Sequence, residues 1–316
     1  MKKLKLQKTN NYSTIKQAFA EYQKYNKLRN LAEQTLIHKE EQIKKFFKFI
    51  DDDNFLIKDV DKKVIEQFTF SLLEEDIKAV TANTYLRNLR AFINWCSNNN
   101  YLQPIKFTML KVDDEIKETY SESQLRILLE KPDIKKCSFV EYRSWVLINY
   151  LISTGNRLNT IINIKISDID FDNEMISLKQ VKNRKQQIIP LSHNVIGILK
   201  EYLSYRKGNP DDYLFVNIYG EQLTSGAVEK SIAKYNTERN VNITSIHAFR
   251  HSFGKMFILN GGDVFRLQKL MSHKDISTTR IYVNLYGEDL KEGYEKYNPL
   301  DVMLSKNNKQ KINMKK

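Results

Sequence analysis

Six residues scattered through the second half of the chain are of types that, brought together, could break a phosphodiester bond without a metal ion. They are Arg157, Lys182, His247, Arg250, His273 and Tyr282. The transition state of such a cleavage gathers negative charge on two non-bridging oxygens. Two guanidiniums can hold those oxygens, each offering paired donors in a rigid plane. A tyrosine phenol suits a covalent phosphoester that must later be reversed. Its proton leaves most easily when nearby arginines lower its pKa from the ordinary value near 10. A lysine can protonate the departing alkoxide, and histidines can manage the phenolic proton or hydrogen-bond the phosphoryl oxygens. No Asp/Glu cluster of metal-binding type accompanies the set, so neither metal nor cofactor is expected.

Taken singly, each signal has a plainer explanation. A His-x-x-Arg pair on a helix is usually a surface or capping pair. Tyr282 is one of 17 tyrosines, most of which should pack in cores. Arg157 after a glycine could close a helix, and Lys182 could be an exposed turn lysine.

The elements that must position these residues read as follows. Ser13 is expected to cap a helix through Ile15, Phe19 and Tyr22. A second helix carries Leu36, Ile43, Phe46, Phe47 and Ile50, and Asp61 opens a third with Val64, Ile65, Phe68 and Leu72. A fourth runs from about Ala82 to Asn98. The bundle displays Lys39, Lys44, Lys45, Lys48, Arg87 and Arg90, a face able to grip a nucleic-acid backbone. Pro104 stops the pattern. Ser121 and Gln124 then have capping-box spacing, and Val140 to Ile152 is apolar on most faces and should lie deep. Thr154-Gly155 breaks that helix just before Arg157. Met175 to Gln180 and Gln186 to Pro190 flank Val181-Lys182-Asn183-Arg184 as a hairpin with a basic tip. Helices follow at Asn194 to Tyr205, after Thr224, from near His247 to Gly261-Gly262, and from Val264 to Met271. A short strand is expected at Asp212 to Val216, and Ser277 to Leu285 is turn-like. The fold class is mainly α with a small β-sheet or hairpin. It divides into a basic arm (1–12), a helical DNA-binding domain (13–104), a linker (105–119), a mixed α+β catalytic domain (120–298) and a basic flexible tail (299–316).

Composition bounds the partners. A formal net charge of +13 in 316 residues favours a polyanion. The two cysteines, Cys96 and Cys137, have neither zinc nor disulfide-framework spacing and fit a reducing cytoplasm. The basic start lacks a signal-peptide core, and the apolar run Trp145 to Ile152 is too short to span a bilayer. A cytoplasmic protein with no membrane partner is expected.

The spacing and order of the motifs resemble the tyrosine recombinase (phage integrase) family. Ser153-Thr154-Gly155-Asn156-Arg157-Leu158 is similar to its first arginine box. The stretch from Lys182 to Leu191 resembles its β-hairpin, and His247-Ala248-Phe249-Arg250-His251-Ser252-Phe253 resembles its second box. Leu270-Met271-Ser272-His273 and Ser277-Thr278-Thr279-Arg280-Ile281-Tyr282 complete the series in family order. Residues 13–100 are similar to the family's helical (SAM-like) core-binding domain. With no separate arm-binding domain before Ser13, the chain resembles the shorter Xer-like or transposon integrases.

The resemblance implies a site-specific recombinase. Tyr282 attacks the scissile phosphate to form a 3′-phosphotyrosyl link and release a 5′-hydroxyl. Arg157, Arg250 and His273 bind the phosphoryl oxygens, Lys182 protonates the leaving oxygen, and His247 is the acid/base on the tyrosine side. The bond energy is kept, so neither ATP nor metal is required. The implied partners are double-stranded DNA clamped by two domains, a dimer per site and a homotetramer in the synapse, with room for accessory DNA-bending or directionality proteins. The biological setting is mobile-element integration or excision, or Xer-like resolution. The departure is Thr160, where the family usually has Glu or Asp three residues after the first arginine; Asp168 is the candidate to compensate. Three rivals share some of these features: a type IB topoisomerase, a DNA-binding protein of this fold that has lost catalysis, and a helix-turn-helix regulator reading DNA with Val264 to Met271.

Overall fold

The computed structural model describes residues 13–113, 117–179, 186–283 and 294–306. The chain forms two compact units, residues 1–115 and 116–316. The first is a helical bundle of α1 (Ile15–Leu28), α2 (Glu33–Ile50), α3 (Lys62–Glu74) and α4 (Ala79–Asn98). Ile15, Phe19, Ile43, Phe46, Ile65, Phe68, Leu86 and Phe92 recur at helical spacing and meet in one core. Each buried Phe or Ile stabilises the bundle by about 1.5–3 kcal/mol relative to exposure. The cap of α1 is Thr14, with Gln17 completing a capping box, rather than Ser13. The Ser13 carbonyl instead accepts from the Ile57 amide at 3.1 Å, so the helix starts one residue later.

Residues 105–110, expected as linker, belong to this core. Ile105, Phe107, Met109 and Leu110 pack against it. Asn83 donates to and accepts from the Leu110 backbone at 2.9 Å each way. Of the cations expected to form a gripping face, Lys44 pairs with Glu40 and Lys45 with Glu75. Arg90 lies over the Phe107 ring and donates to its carbonyl. Lys48 and Arg87 are exposed.

The second unit opens at α5 (Glu122–Leu129), capped by Ser121 and Gln124 as their spacing predicts. It is built around α6 (Phe139–Thr154), which buries residues on nearly every side. Then come α7 (Leu158–Ile161), a three-stranded antiparallel sheet, α8 (His193–Arg206), α9 (Ser225–Thr237), α10 (Ile246–Leu259), α11 (Val264–Leu270) and α12 (Ser277–Arg280). The strands are β1 (Ile169–Asp170), β2 (Met175–Leu178) and β3 (Gln187–Pro190), in the order β1-β2-β3. Met175 faces Pro190 and Leu178 faces Gln187.

Two expectations need correction. Residues 212–216 form no strand; they make isolated bridges, Tyr213 to Lys165 and Val216 to Gln222. Their backbone groups serve Ile164 and Ile166 across a loop, leaving nothing to propagate a ladder. Within the tail expected to be flexible, residues 299–306 form a helix, α14 (Pro299–Lys306), after the single turn α13 (Tyr294–Tyr297). Residues 307–316 lie outside the described residues. Among the described residues no helix is long and apolar enough to cross a membrane.

Candidate active site

Four of the six residues predicted to do chemistry converge on one pocket. Arg157 owes its place to Gly155, which ends α6 in the left-handed region at φ +59°. That backbone favours glycine, and a Cβ there would lie 2.3 Å from the Phe253 ring. The chain therefore turns sharply, and Arg157 caps α7 with its side chain half-buried and Nη1 3.4 Å from the Met271 carbonyl.

Arg250 comes from the first half of α10 and is 6% exposed. Its Nη1 donates to the Gly155 carbonyl, and its Nη2 donates to the Met271 carbonyl and to His273 Nε2, each at 2.7 Å. Both guanidiniums thus meet at one main-chain oxygen. Among the described residues neither has a carboxylate partner. Burial, and then the charge of Arg157, push the Arg250 pKa down to about 10, so it stays charged at neutral pH.

His273 follows the C-terminus of α11, held by a left-handed Ser272 at φ +51°. Because its Nε2 accepts from Arg250, its Nδ1 carries the proton and donates to Thr279 Oγ1 at 2.8 Å. Burial first, then Arg250 and Arg157, lower its pKa to about 4. The ring is neutral and both its nitrogens are engaged.

Tyr282 sits in the turn after α12 and is 7% exposed. Its ring lies parallel to that of His273, with centroids 6.4 Å apart. It rests on Gly254, where a Cβ would come within 2.8 Å of the ring. Its hydroxyl is 3.0 Å from His251 Nδ1. Burial raises the phenol's pKa, opposed by Arg250 and Arg157, so in the DNA-free protein desolvation outweighs the arginine field. The expected lowering is not what this state shows.

His251 was passed over in the sequence, although it stands between Arg250 and Gly254 on α10. Its signal was the helical spacing of His247, Arg250, His251 and Gly254, one face within two turns. His247 itself is exposed in the first turn of α10, one turn from His251. Lys182 lies outside the described residues. The strand beyond it is anchored to the pocket: Gln187 Nε2 donates to the Lys269 carbonyl, and Ser272 Oγ donates to Gln187 Oε1.

Thr160 is buried on α7. Asp168 does not take the place of the family's carboxylate beside the arginines. Its Oδ2 accepts from the Lys165 amide at 2.9 Å and its Oδ1 lies 2.5 Å from Lys179 Nζ. The 3-10 turn Ile166–Asp168 folds the side chain back on its own start. Among the described residues no cluster of three or more His, Cys, Asp or Glu side chains is arranged to hold a metal ion.

A helical bundle followed by a mixed unit with a guanidinium pair beside a buried tyrosine defines a class, and comparison with known proteins agrees. Residues 118–288 match the phage integrase family and residues 14–112 the phage integrase SAM-like domain. The chain belongs to the phage integrase family. It is 26% identical to the tyrosine recombinase XerD of Staphylococcus haemolyticus over 290 residues, covering 88% of this chain and 97% of that one. With XerD of Staphylococcus epidermidis it shares 25% over 269 residues, 81% and 90% of the two chains. The fold matches the Tn1549 transposon integrase solved in complex with transposon right end DNA. The TM-score is 0.75 at 20% identity, covering 90% of this chain and 99% of that one. A lambda integrase dimer bound to a COC′ core site matches with a TM-score of 0.69 at 17% identity, over 87% and 97%.

Proposed function

We propose that this chain is a site-specific DNA recombinase that cuts and rejoins strands through a 3′-phosphotyrosyl intermediate. The observation that carries it is the pair of guanidiniums, Arg157 half-buried and Arg250 buried, which have no carboxylate partner among the described residues and act electrostatically on Tyr282. A buried cation without a counter-ion is costly, and a backbone phosphate supplies the missing charge. Tyr282 is the nucleophile. Arg157, Arg250 and the Nε2 side of His273 receive the non-bridging oxygens, exchanging main-chain carbonyls for phosphate. Lys182 protonates the leaving 5′ oxygen, and a histidine of α10 is the acid/base on the tyrosine side, the place that the family resemblance gives to His247. The surplus of positive charge favours DNA as the partner.

Residues 13–104 serve as the core-binding domain and 120–298 as the catalytic domain. Two protomers act per site and four in the synapse. Exposed Tyr294, Leu300 and Met303 on α13 and α14 offer apolar surface for protomer contacts. The setting is integration or excision of a mobile element, or Xer-like resolution, within the cytoplasm.

The test is a nicked duplex carrying the chain's own recombination site, on which cleavage traps the enzyme. Wild type should accumulate a covalent adduct that survives denaturation, and Tyr282→Phe should bind the duplex without forming one. DNA binding with no adduct from wild type would leave only a DNA-binding protein of this fold.

A further inference from the structure

We infer that His251 is the proton acceptor for Tyr282 in cleavage and returns that proton in rejoining, a role that rests on the recombinase chemistry proposed above. Among the described residues, His251 is the one whose ring nitrogen meets the phenol hydroxyl, Nδ1 to Oη at 3.0 Å. His273 is nearby but has no free nitrogen: Nε2 faces Arg250 and Nδ1 faces Thr279. The guanidiniums of Arg157 and Arg250 are already protonated and can only donate. His247 is exposed one helical turn earlier.

The step balances on these atoms. As Tyr282 Oη bonds to phosphorus, its proton passes to His251 Nδ1 and the bond from phosphorus to the 5′ oxygen breaks. On rejoining, the 5′ oxygen bonds to phosphorus, the bond to Oη breaks, and Nδ1–H reprotonates the phenolate. Acceptance requires the neutral ring with its proton on Nε2. The charged and titratable groups facing His251 favour that form: His247 and Arg250 on its own helix and Lys117 from the segment before α5. Together with burial, the largest effect, they hold its pKa below the ordinary histidine value. Tyr282 and His273 complete its surroundings.

The test uses the complete chain in single-turnover adduct formation on the nicked duplex, comparing wild type with His251→Asn. Asparagine places a polar atom where Nδ1 stands, so the hydrogen bond can persist while basicity is lost. The expected result is a rate lower by about 10²-fold, the usual weight of a general base. The acid limb of the pH–rate profile should vanish with it. Replacing Tyr282 by a fluorinated tyrosine of lower phenol pKa should restore at least roughly tenfold in His251→Asn, because the proton then needs less help. A duplex with sulfur as the 5′ leaving atom should restore nothing, since it relieves the opposite side of the reaction.

A His251→Asn chain that keeps wild-type rate, or one rescued by the sulfur leaving atom, overturns the inference while leaving the recombinase intact. No adduct from wild type overturns the recombinase proposal itself, and this inference with it. If His251→Asn fails to bind DNA, the fluorinated tyrosine in the otherwise wild-type chain decides. A change within roughly threefold supports His251 as acceptor, and an increase of tenfold or more refutes it.

Discussion

Gly254 is the residue whose replacement most directly separates the position of Tyr282 from the stability of the fold. It lies in the middle of α10, where alanine is the better helix former by about 1 kcal/mol. By propensity alone, Gly254→Ala should stabilise the protein. Its Cβ, however, would sit 2.8 Å from Cε1 and Cζ of the Tyr282 ring. Carbon atoms rest at about 3.5–4.0 Å, so something must yield by about 0.7 Å or more. The helix cannot easily retreat: α10 packs against α6, and Phe249 is fully buried and stacked on Tyr120 at 4.2 Å. The ring must move instead, and with it the hydroxyl that is 3.0 Å from His251. Overpacking of this kind costs about 1–3 kcal/mol, which largely offsets the helical gain. The melting temperature should therefore change little or fall slightly. Cleavage should drop far more, because a misplacement near 1 Å costs about 10²-fold in a positioned reaction. Adduct formation on the nicked duplex, measured beside DNA binding and thermal unfolding, checks this. Binding retained with cleavage within threefold of wild type would show that the ring is not held where the structure puts it.

Two further outcomes follow from the same pocket. Ser272 combines a left-handed backbone, costing roughly 1–2 kcal/mol for a non-glycine residue, with a hydroxyl bonded to Gln187. Ser272→Gly should unfold within about 1 kcal/mol of wild type, because strain relief offsets a hydrogen bond of about that worth. Ser272→Ala keeps the strain and loses the bond, so denaturant unfolding should rank it below both. His273 takes a proton at about pH 6.5 when unfolded and only at about 4 when folded. Its contribution to stability is thus fully present above pH 6.5, shrinks as pH falls toward 4 and is flat below, at most roughly 3 kcal/mol. Unfolding free energies between pH 7.5 and 5 should show this slope in wild type and lose much of it in His273→Asn; an equal slope in both would refute it.

Much of the pocket was legible because its residues sit at punctuation marks. Gly155 stops α6 and delivers Arg157, Gly261-Gly262 separates α10 from α11, and the stretch from Ser277 begins the turn that presents Tyr282. Order and spacing survive in a sequence. Facing does not, and that is where expectation and structure part. Whether His247 or His251 meets the phenol depends on the rotation of α10, which is set by the burial of Ala248 and Phe249 against the core. The fate of Asp168 depends on a 3-10 turn that returns its carboxylate to Lys165. Ile105, Phe107 and Met109 alternate with Lys106 and Thr108 at a strand period, but so short a run after Pro104 does not say which core it covers. The sign of the Tyr282 shift depends on how deeply the ring is buried, a property of the folded state alone.

The uncompensated arginines and the protonated phenol belong to a single physical balance. In the free protein Arg250 holds, among the described residues, carbonyl oxygens and the His273 ring, and its pKa is depressed by burial and then by its neighbour Arg157. A carboxylate between the two would relieve that cost, yet Thr160 occupies the family's usual acidic position and Asp168 is engaged elsewhere. On the recombinase proposal, that desolvation cost is still unrelieved when DNA arrives, and a phosphate recovers it by pairing with both guanidiniums at once. The favourable interaction is largest where charge on the phosphoryl oxygens is greatest, in the transition state rather than the bound ground state. The same phosphate cancels part of the arginine field that favours the Tyr282 phenolate against the effect of burial. Once DNA is bound, the arginines alone are thus a poorer means of ionising the phenol than they are in the free protein. As the proposed nucleophile, Tyr282 needs a base at its own oxygen, and the described geometry provides His251 there.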